Sequence, residues 1–181
     1  MKVYYWSPFI SHVATTTAVI NSIKSIGKYS KGKFSCLIVD VFKEWKPYLN
    51  ELSLNKISVK KLDSFLNIKY LPKNGYFKSR LTYILVFIFT ILKLHNLIRK
   101  EKPKYFIMHL ITSIPLSLLL LFNYDTKFIL RISGYPKLNI FRKILWKSSS
   151  KYIHRVFCPT KLTKDFLIRN KIFSEDKIYV V

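Results

Sequence analysis

The sequence predicts an α/β protein built on a Rossmann-like, doubly wound and mainly parallel sheet. Three observations carry this expectation. Seven short apolar runs alternate with helical stretches along the 181 residues. The runs lack the strict polar alternation of a half-exposed strand, so they read as buried on both faces. Half of the residues are apolar, which excludes disorder and suffices for one full core. A single domain, 1–181, is therefore expected.

The elements follow in order. "KVYYWSPF" (2–9) is a first strand closed by Ser7 and Pro8. From Ala14, apolar residues recur at Val19, Ile20, Ile23 and Ile26, which is helical spacing, and Gly27 stands where a C-cap glycine belongs. "KFSCLIVDVF" (33–42) is a second strand with Asp40 near its carboxyl end. The mixed segment 43–67 is read as partly helical. "IKYLP" (68–72) is a third strand, stopped by Pro72 and followed by an Asn74-Gly75 turn.

"RLTYILVFIFTILKLHNLIRKEK" (80–102) is a long apolar helix with cations at its end, where they suit the helix dipole. "YFIMHLI" (105–111) is the fourth strand. Thr112 or Ser113 caps the next helix, with Pro115 in its first turn. "KFILRIS" (127–133) is the fifth strand, broken by Gly134 and Pro136. The stretch 139–153 is an amphipathic helix, "RVFCP" (155–159) a sixth strand, and 160–170 a helix with Thr160 as N-cap. "KIYVV" (177–181) is the seventh strand.

Charge narrows the partners. Thirty-two Lys and Arg face nine Asp and Glu, a net charge of +23. Such a field attracts polyanions: nucleic acid, an anionic membrane or a phosphorylated substrate. Coding bias toward lysine would produce the same excess. Cys36 and Cys158 are isolated in apolar runs and read as small buried hydrophobes, and the N-terminus lacks the pattern of a signal peptide. A cytoplasmic protein is expected, resting at most on the inner face of the cytoplasmic membrane. Residues 105–122 are 18 uncharged residues, long enough to span a bilayer, but Thr112, Ser113 and Pro115 divide them into strand and helix.

Motifs exclude several classes. No G-x-G-x-x-G, Walker A loop, D-x-D or G-x-S-x-G occurs, and His12, His95, His109 and His154 show no metal-ligand spacing. The few acids are scattered, which argues against a metal held by paired carboxylates. What remains is a ring of polar groups at predicted strand ends, where ligands sit in such sheets: Ser7, His12, Thr15, His109, Arg131, Ser133, Lys137, Thr160 and Lys161. Helix N-termini at Thr15, Ser113 and Thr160 would point N–H groups at the same edge and suit a phosphorylated or hydroxyl-rich ligand.

The order of four segments is similar to that of the N-terminal half of a family-4 GT-B glycosyltransferase. They are "KVYYWSPFISHVATTTAVINSI", "KPKYFIMHLITSIPLSLLL", "KFILRISGYPKLN" and "VFCPTKLTKDFLI" leading into "KIYVV". The resemblance implies an acceptor-binding domain, with a nucleotide-sugar donor bound by a second domain carrying paired glutamates, and no required metal. No such second domain follows here, so the chain is expected to be an acceptor domain or a truncated enzyme, inactive alone. His109 matches the family's histidine after the fourth strand. The Gly-Gly loop of the family is replaced by "SHVATTT", and its His-Gly by Ser133-Gly134, so no catalytic residue is carried over. The acceptors implied are saccharides or lipid-linked sugars in surface-polysaccharide or glycolipid synthesis; the family association favours retention of configuration, which the sequence itself leaves open. Tyr76 and Phe77 beside the apolar helix would suit an acceptor held in an anionic bilayer.

Two other classes stand beside this one. A basic nucleic-acid-binding module would follow from the charge, although no binding motif accompanies it and no specific nucleic acid is expected. A small integral membrane protein would use 81–98 and 105–122.

Overall fold

A computed structural model describes residues 1–10, 13–62, 67 and 76–181, with the side chains of 76–79 excepted. The predicted strand at 68–72 and the turn at 74–75 lie outside the described residues, as do His12 and the side chains of Tyr76 and Phe77.

Seven strands form one sheet: β1 (Lys2–Trp6), β2 (Ser35–Asp40), β3 (Ser58–Lys61), β4 (Tyr105–Met108), β5 (Lys127–Arg131), β6 (Ile153–Cys158) and β7 (Ile178–Val180). Every pairing is parallel, in the order β3-β2-β1-β4-β5-β6-β7. Chain order therefore reverses between β1 and β4, the crevice where ligands enter such sheets. Among the described residues six α-helices connect the strands: α1 (Thr15–Tyr29), α2 (Leu49–Leu54), α3 (Tyr76–Glu101), α4 (Ser113–Leu121), α5 (Ile140–Ser149) and α6 (Lys161–Arg169).

Strand pleating sorts the core onto two faces. Tyr4, Trp6, Phe106, Met108, Phe128 and Leu130 pack with α3, α4 and Trp146 of α5. Val3, Tyr5, Ile38, Ile107 and Ile129 pack with Val19, Ile20 and Ile23 of α1 and Leu52 of α2. Both faces are covered, as the continuous apolar runs require. The 105–122 run divides into β4 and α4.

Three elements differ from expectation. β3 lies at 58–61, inside the segment read as partly helical; "SVKK" is an edge strand with Val59 as its one apolar residue. Gly27 does not cap α1. The helix runs on to Tyr29 and stops where Lys31 and Gly32 adopt positive φ (49° and 75°). The helix predicted over 139–153 ends at Ser149, because a 3-10 turn, Ser150–Tyr152, delivers the chain early into β6.

Glu101, at the end of α3, receives Lys2 (2.7 Å) and Lys60 (3.1 Å). Hydrogen bonds from these two lysines hold its carboxyl down to about 2. One carboxylate thus ties α3 to β1 and β3.

At the end of β2 the chain turns through a buried acidic pair. The Glu44 carboxyl accepts from Val41 N (3.1 Å) and Phe42 N (2.7 Å), and Asp40 Oδ1 accepts from Trp45 N (3.4 Å). Burial, then the hydrogen bond and charge of Asp40, push the Glu44 carboxyl well above the carboxylate range. A raised folded pKa means that stability is full below the unfolded value, about 4.3, and declines as pH rises toward the folded value. Glu44→Gln imitates the protonated acid and has nothing to ionise. Its stability relative to wild type is expected to rise with pH, by up to about 1.4 kcal/mol per pH unit. Urea titrations between acid and alkaline pH check this; parallel profiles for the two proteins would exclude a protonated Glu44.

Candidate functional site

The site is built by register. Val39, Trp6, Met108 and Leu130 are partners across β2, β1, β4 and β5. Their successors, Asp40, Ser7, His109 and Arg131, stand one step beyond, at the carboxyl edge. Pleating turns these four toward the α1 side, the side of Ile38, Tyr5, Ile107 and Ile129. A polar row thus crosses the point where chain order reverses. The Tyr5 and His109 rings lie 5.9 Å apart on this side.

Burial makes the row chemically unusual. Ser7 is fully buried and His109 is 6% exposed. Ser7 Oγ and both ring nitrogens of His109 have no hydrogen-bond partner among the described residues. Buried polar groups are ordinarily satisfied, so such groups at a cleft are candidates for ligand contact. Burial, reinforced by the charge of Arg131, lowers the His109 pKa to about 3. The imidazole is therefore neutral at physiological pH, with one nitrogen donating and the other accepting.

The β4–α4 turn that carries His109 is held in place. The Trp6 indole N–H donates to the carbonyl of Ile111 (3.2 Å), and the His109 backbone N–H donates to Trp6 O (2.9 Å). Ile111 has φ of 45°, an unfavourable left-handed conformation for a β-branched residue. Thr112 takes the N-cap position of α4, but its side chain makes no cap bond.

Two clefts open on this edge. The larger, about 740 Å³, runs from His109 and Ser113 past Arg131, Ser133 and Lys137 to Arg142 on α5. The smaller, about 200 Å³, lies between Thr15 at the start of α1 and Pro159 after β6. Arg131, Ile132 and Ser133 line both, so the loop after β5 is their shared wall.

Of the residues singled out from sequence, His109, Arg131, Ser133, Gly134 and Lys137 meet on the larger cleft, and Thr15 joins Arg131 and Ser133 on the smaller. Ser7 lies behind them in the polar row. Thr160 caps α6, accepting from Thr163 N at 3.2 Å. Thr160 and Lys161 are exposed and line neither cleft. Sequence reasoning missed Asn139 and Arg142 as lining residues, and it read the acids as scattered although Asp40 and Glu44 pair. The sequence marks Asp40, at the end of an apolar strand, but carries no signal for Glu44, whose pairing depends on the fold of the short turn.

The fold is similar to about half of solved glycosyltransferase and UDP-N-acetylglucosamine 2-epimerase structures. A Listeria monocytogenes protein assigned as a UDP-N-acetylglucosamine 2-epimerase matches 99% of the chain at 14% identity and a TM-score of 0.68, over 44% of its own length. A glycosyltransferase of Rickettsia africae matches 99% of the chain at 14% identity and 0.63, over 42% of its length. The UDP-GlcNAc 2-epimerase of Neisseria meningitidis, solved with UDP-GlcNAc, matches 99% at 15% identity and 0.60, over 46%. The chain thus spans less than half the length of these structures. No protein-family model matches it, and no curated protein matches it by sequence.

The buried neutral histidine has a measurable consequence. Its folded pKa lies below the unfolded value, about 6.5. Stability is therefore full above that value and is lost as pH falls toward 3. His109→Phe is expected to remove this component. The difference in unfolding free energy between wild type and variant should change by up to about 1.4 kcal/mol per pH unit between pH 6 and 4. A constant difference across that range would refute a buried neutral imidazole.

Proposed function

We propose that this chain is the acceptor-side, N-terminal half of a family-4-type GT-B enzyme that transfers a sugar from a nucleotide-sugar donor to a saccharide or lipid-linked acceptor. The observation that carries the reading is the pair of unpartnered ring nitrogens on His109, beside Arg131, at the switch point of a GT-B half-domain sheet. A neutral imidazole can donate to one sugar oxygen and accept from a hydroxyl, which orients an acceptor without charging it. Arg131 and the N-terminus of α1 offer positive potential to a diphosphate on the other side of the β5 loop. In group transfer from a nucleotide sugar the departing diphosphate carries the developing charge, so stabilising it is the main electrostatic task.

The donor and its paired glutamates belong to a second half, and the proposed chemistry needs no metal. The place of action is the inner face of the cytoplasmic membrane, in surface-polysaccharide or glycolipid synthesis. Alone, the chain is expected to turn over no donor.

Saturation-transfer NMR with a panel of oligosaccharides and polyprenyl-phosphate sugars tests the acceptor role. Binding is expected, and His109→Asn and Arg131→Ala should each weaken it about tenfold, the loss of one good hydrogen bond. Thr160→Ala should leave it unchanged. Binding indifferent to His109 and Arg131 would overturn the assignment. Inversion of UDP-GlcNAc at C2 by the chain would overturn it in favour of an epimerase.

A further inference from the structure

Helix α3 is apolar on both of its faces. Its inward line is Thr82, Val86, Thr90, Leu94 and Ile98, all buried and each one turn apart. Two of these five are threonines, and the Thr90 hydroxyl donates back to the Val86 carbonyl (2.5 Å). The outward stripe is Leu81, Ile84, Ile88 and Leu92, with Ile88 60% and Leu92 66% exposed and Phe89 exposed on its flank. A helix on a soluble domain turns its apolar stripe to the core and its polar face to water. Here the outward face is apolar as well.

The patch continues across neighbouring helices. Exposed Leu120 and Leu121 end α4, Phe122 follows them, and Ile140, Phe141 (83% exposed) and Ile144 project from α5. Tyr83 and Phe141 both line the larger cleft, so the apolar surfaces of α3 and α5 meet there. Exposed apolar area on this scale marks an interaction surface.

Charge identifies what covers it. No acidic residue occurs between 64 and 100 or between 126 and 164. Arg99 prolongs the outward stripe of α3 two turns past Leu92, Lys100 stands beside it, and Arg142, Lys143 and Lys147 alternate with the apolar residues of α5. A second copy would bring another +23 against this face. An anionic lipid surface offers hydrocarbon to the stripe and phosphates to its cationic margins.

We infer that the outward faces of α3 and α5 form a monotopic anchor that lies in the interface of an anionic bilayer. The helix lies in the membrane plane. Arg80–Glu101 is long and apolar enough to span, but Val86, Leu94 and Ile98 share one cluster with Tyr4, Trp6 and Phe106. Spanning would tear α3 from the sheet. The stripe from Leu81 to Leu92 covers about 17 Å along the axis. The anchor stands independently of the sugar-transfer reading, since lipid binding needs neither donor nor acceptor.

Vesicle flotation of the purified chain is the test. It should float with phosphatidylcholine vesicles containing phosphatidylglycerol and stay in solution with phosphatidylcholine alone. Ile88→Asp with Leu92→Asp should lower the bound fraction about tenfold. Leu54→Asp, at a still more exposed apolar site on α2, across the sheet, should leave it unchanged. Leu92→Trp reports insertion without a charge in the helix, and its emission should shift to the blue with anionic vesicles only. Unchanged flotation of the double variant together with an unshifted Leu92→Trp spectrum would overturn the anchor. Resistance to carbonate washing would replace it with a spanning helix. A dimer abolished by the double variant, with no vesicle binding, would replace it with a self-association surface.

Discussion

A parallel sheet covered on both faces leaves polar side chains few places to go, and the arrangement of this protein follows from that constraint. Along β1, β4 and β5 each apolar residue meets one core or the other: Tyr4 and Trp6 on one side, Val3 and Tyr5 on the other. Hydrophilic groups are displaced to the strand ends. At the amino edge this gives Lys2, Lys104 and Lys127, with Glu101 binding Lys2 and Lys60 into one clamp. At the carboxyl edge it gives Asp40, Ser7, His109 and Arg131 in one row. The candidate site is the place where the core stops, and its alignment is inherited from strand register.

The row also limits the chemistry. A histidine held neutral down to about pH 3 is a poor general base at physiological pH, because its drive to take a proton is small. It is suited to holding a hydroxyl in one orientation. Arg131 serves both requirements. Its charge helps to keep the imidazole neutral, and its position on the wall between the two clefts lets it face an anion on either side. Trp6 fixes the geometry from beneath by tying down the carbonyl of Ile111 in a backbone conformation that the residue would not choose alone.

Most of the sheet was legible because central parallel strands must be apolar throughout: "KVYYW", "YFIM" and "KFILR" allow few other readings. β3 was hidden by the same logic. An edge strand buries little, and "SVKK" carries one apolar residue and no alternation to detect. Gly27 misled because glycine at a helix end suggests a cap, whereas an exposed glycine inside the last turns costs only about 1 kcal/mol. At the site, His109, Arg131 and Ser133 could be placed from strand ends alone. The Asp40–Glu44 pair could not, since it depends on how a short turn folds under Trp45. Nor could the orientation of α3, whose sequence is apolar all round and becomes asymmetric only once the sheet selects a side.

The two margins of the sheet are finished differently. β3 ends one side with Lys60 and Lys61, charges that discourage another strand from adding there. β7 ends the other with Ile178, Tyr179 and Val180, the latter two exposed, and with no charge among them. Its outer row of N–H and C=O groups is a template for one more strand. Among the described residues the two margins therefore differ: an added strand would meet lysines at β3 and none at β7. A strand added at the β7 margin would lie beside Arg155 and the smaller cleft.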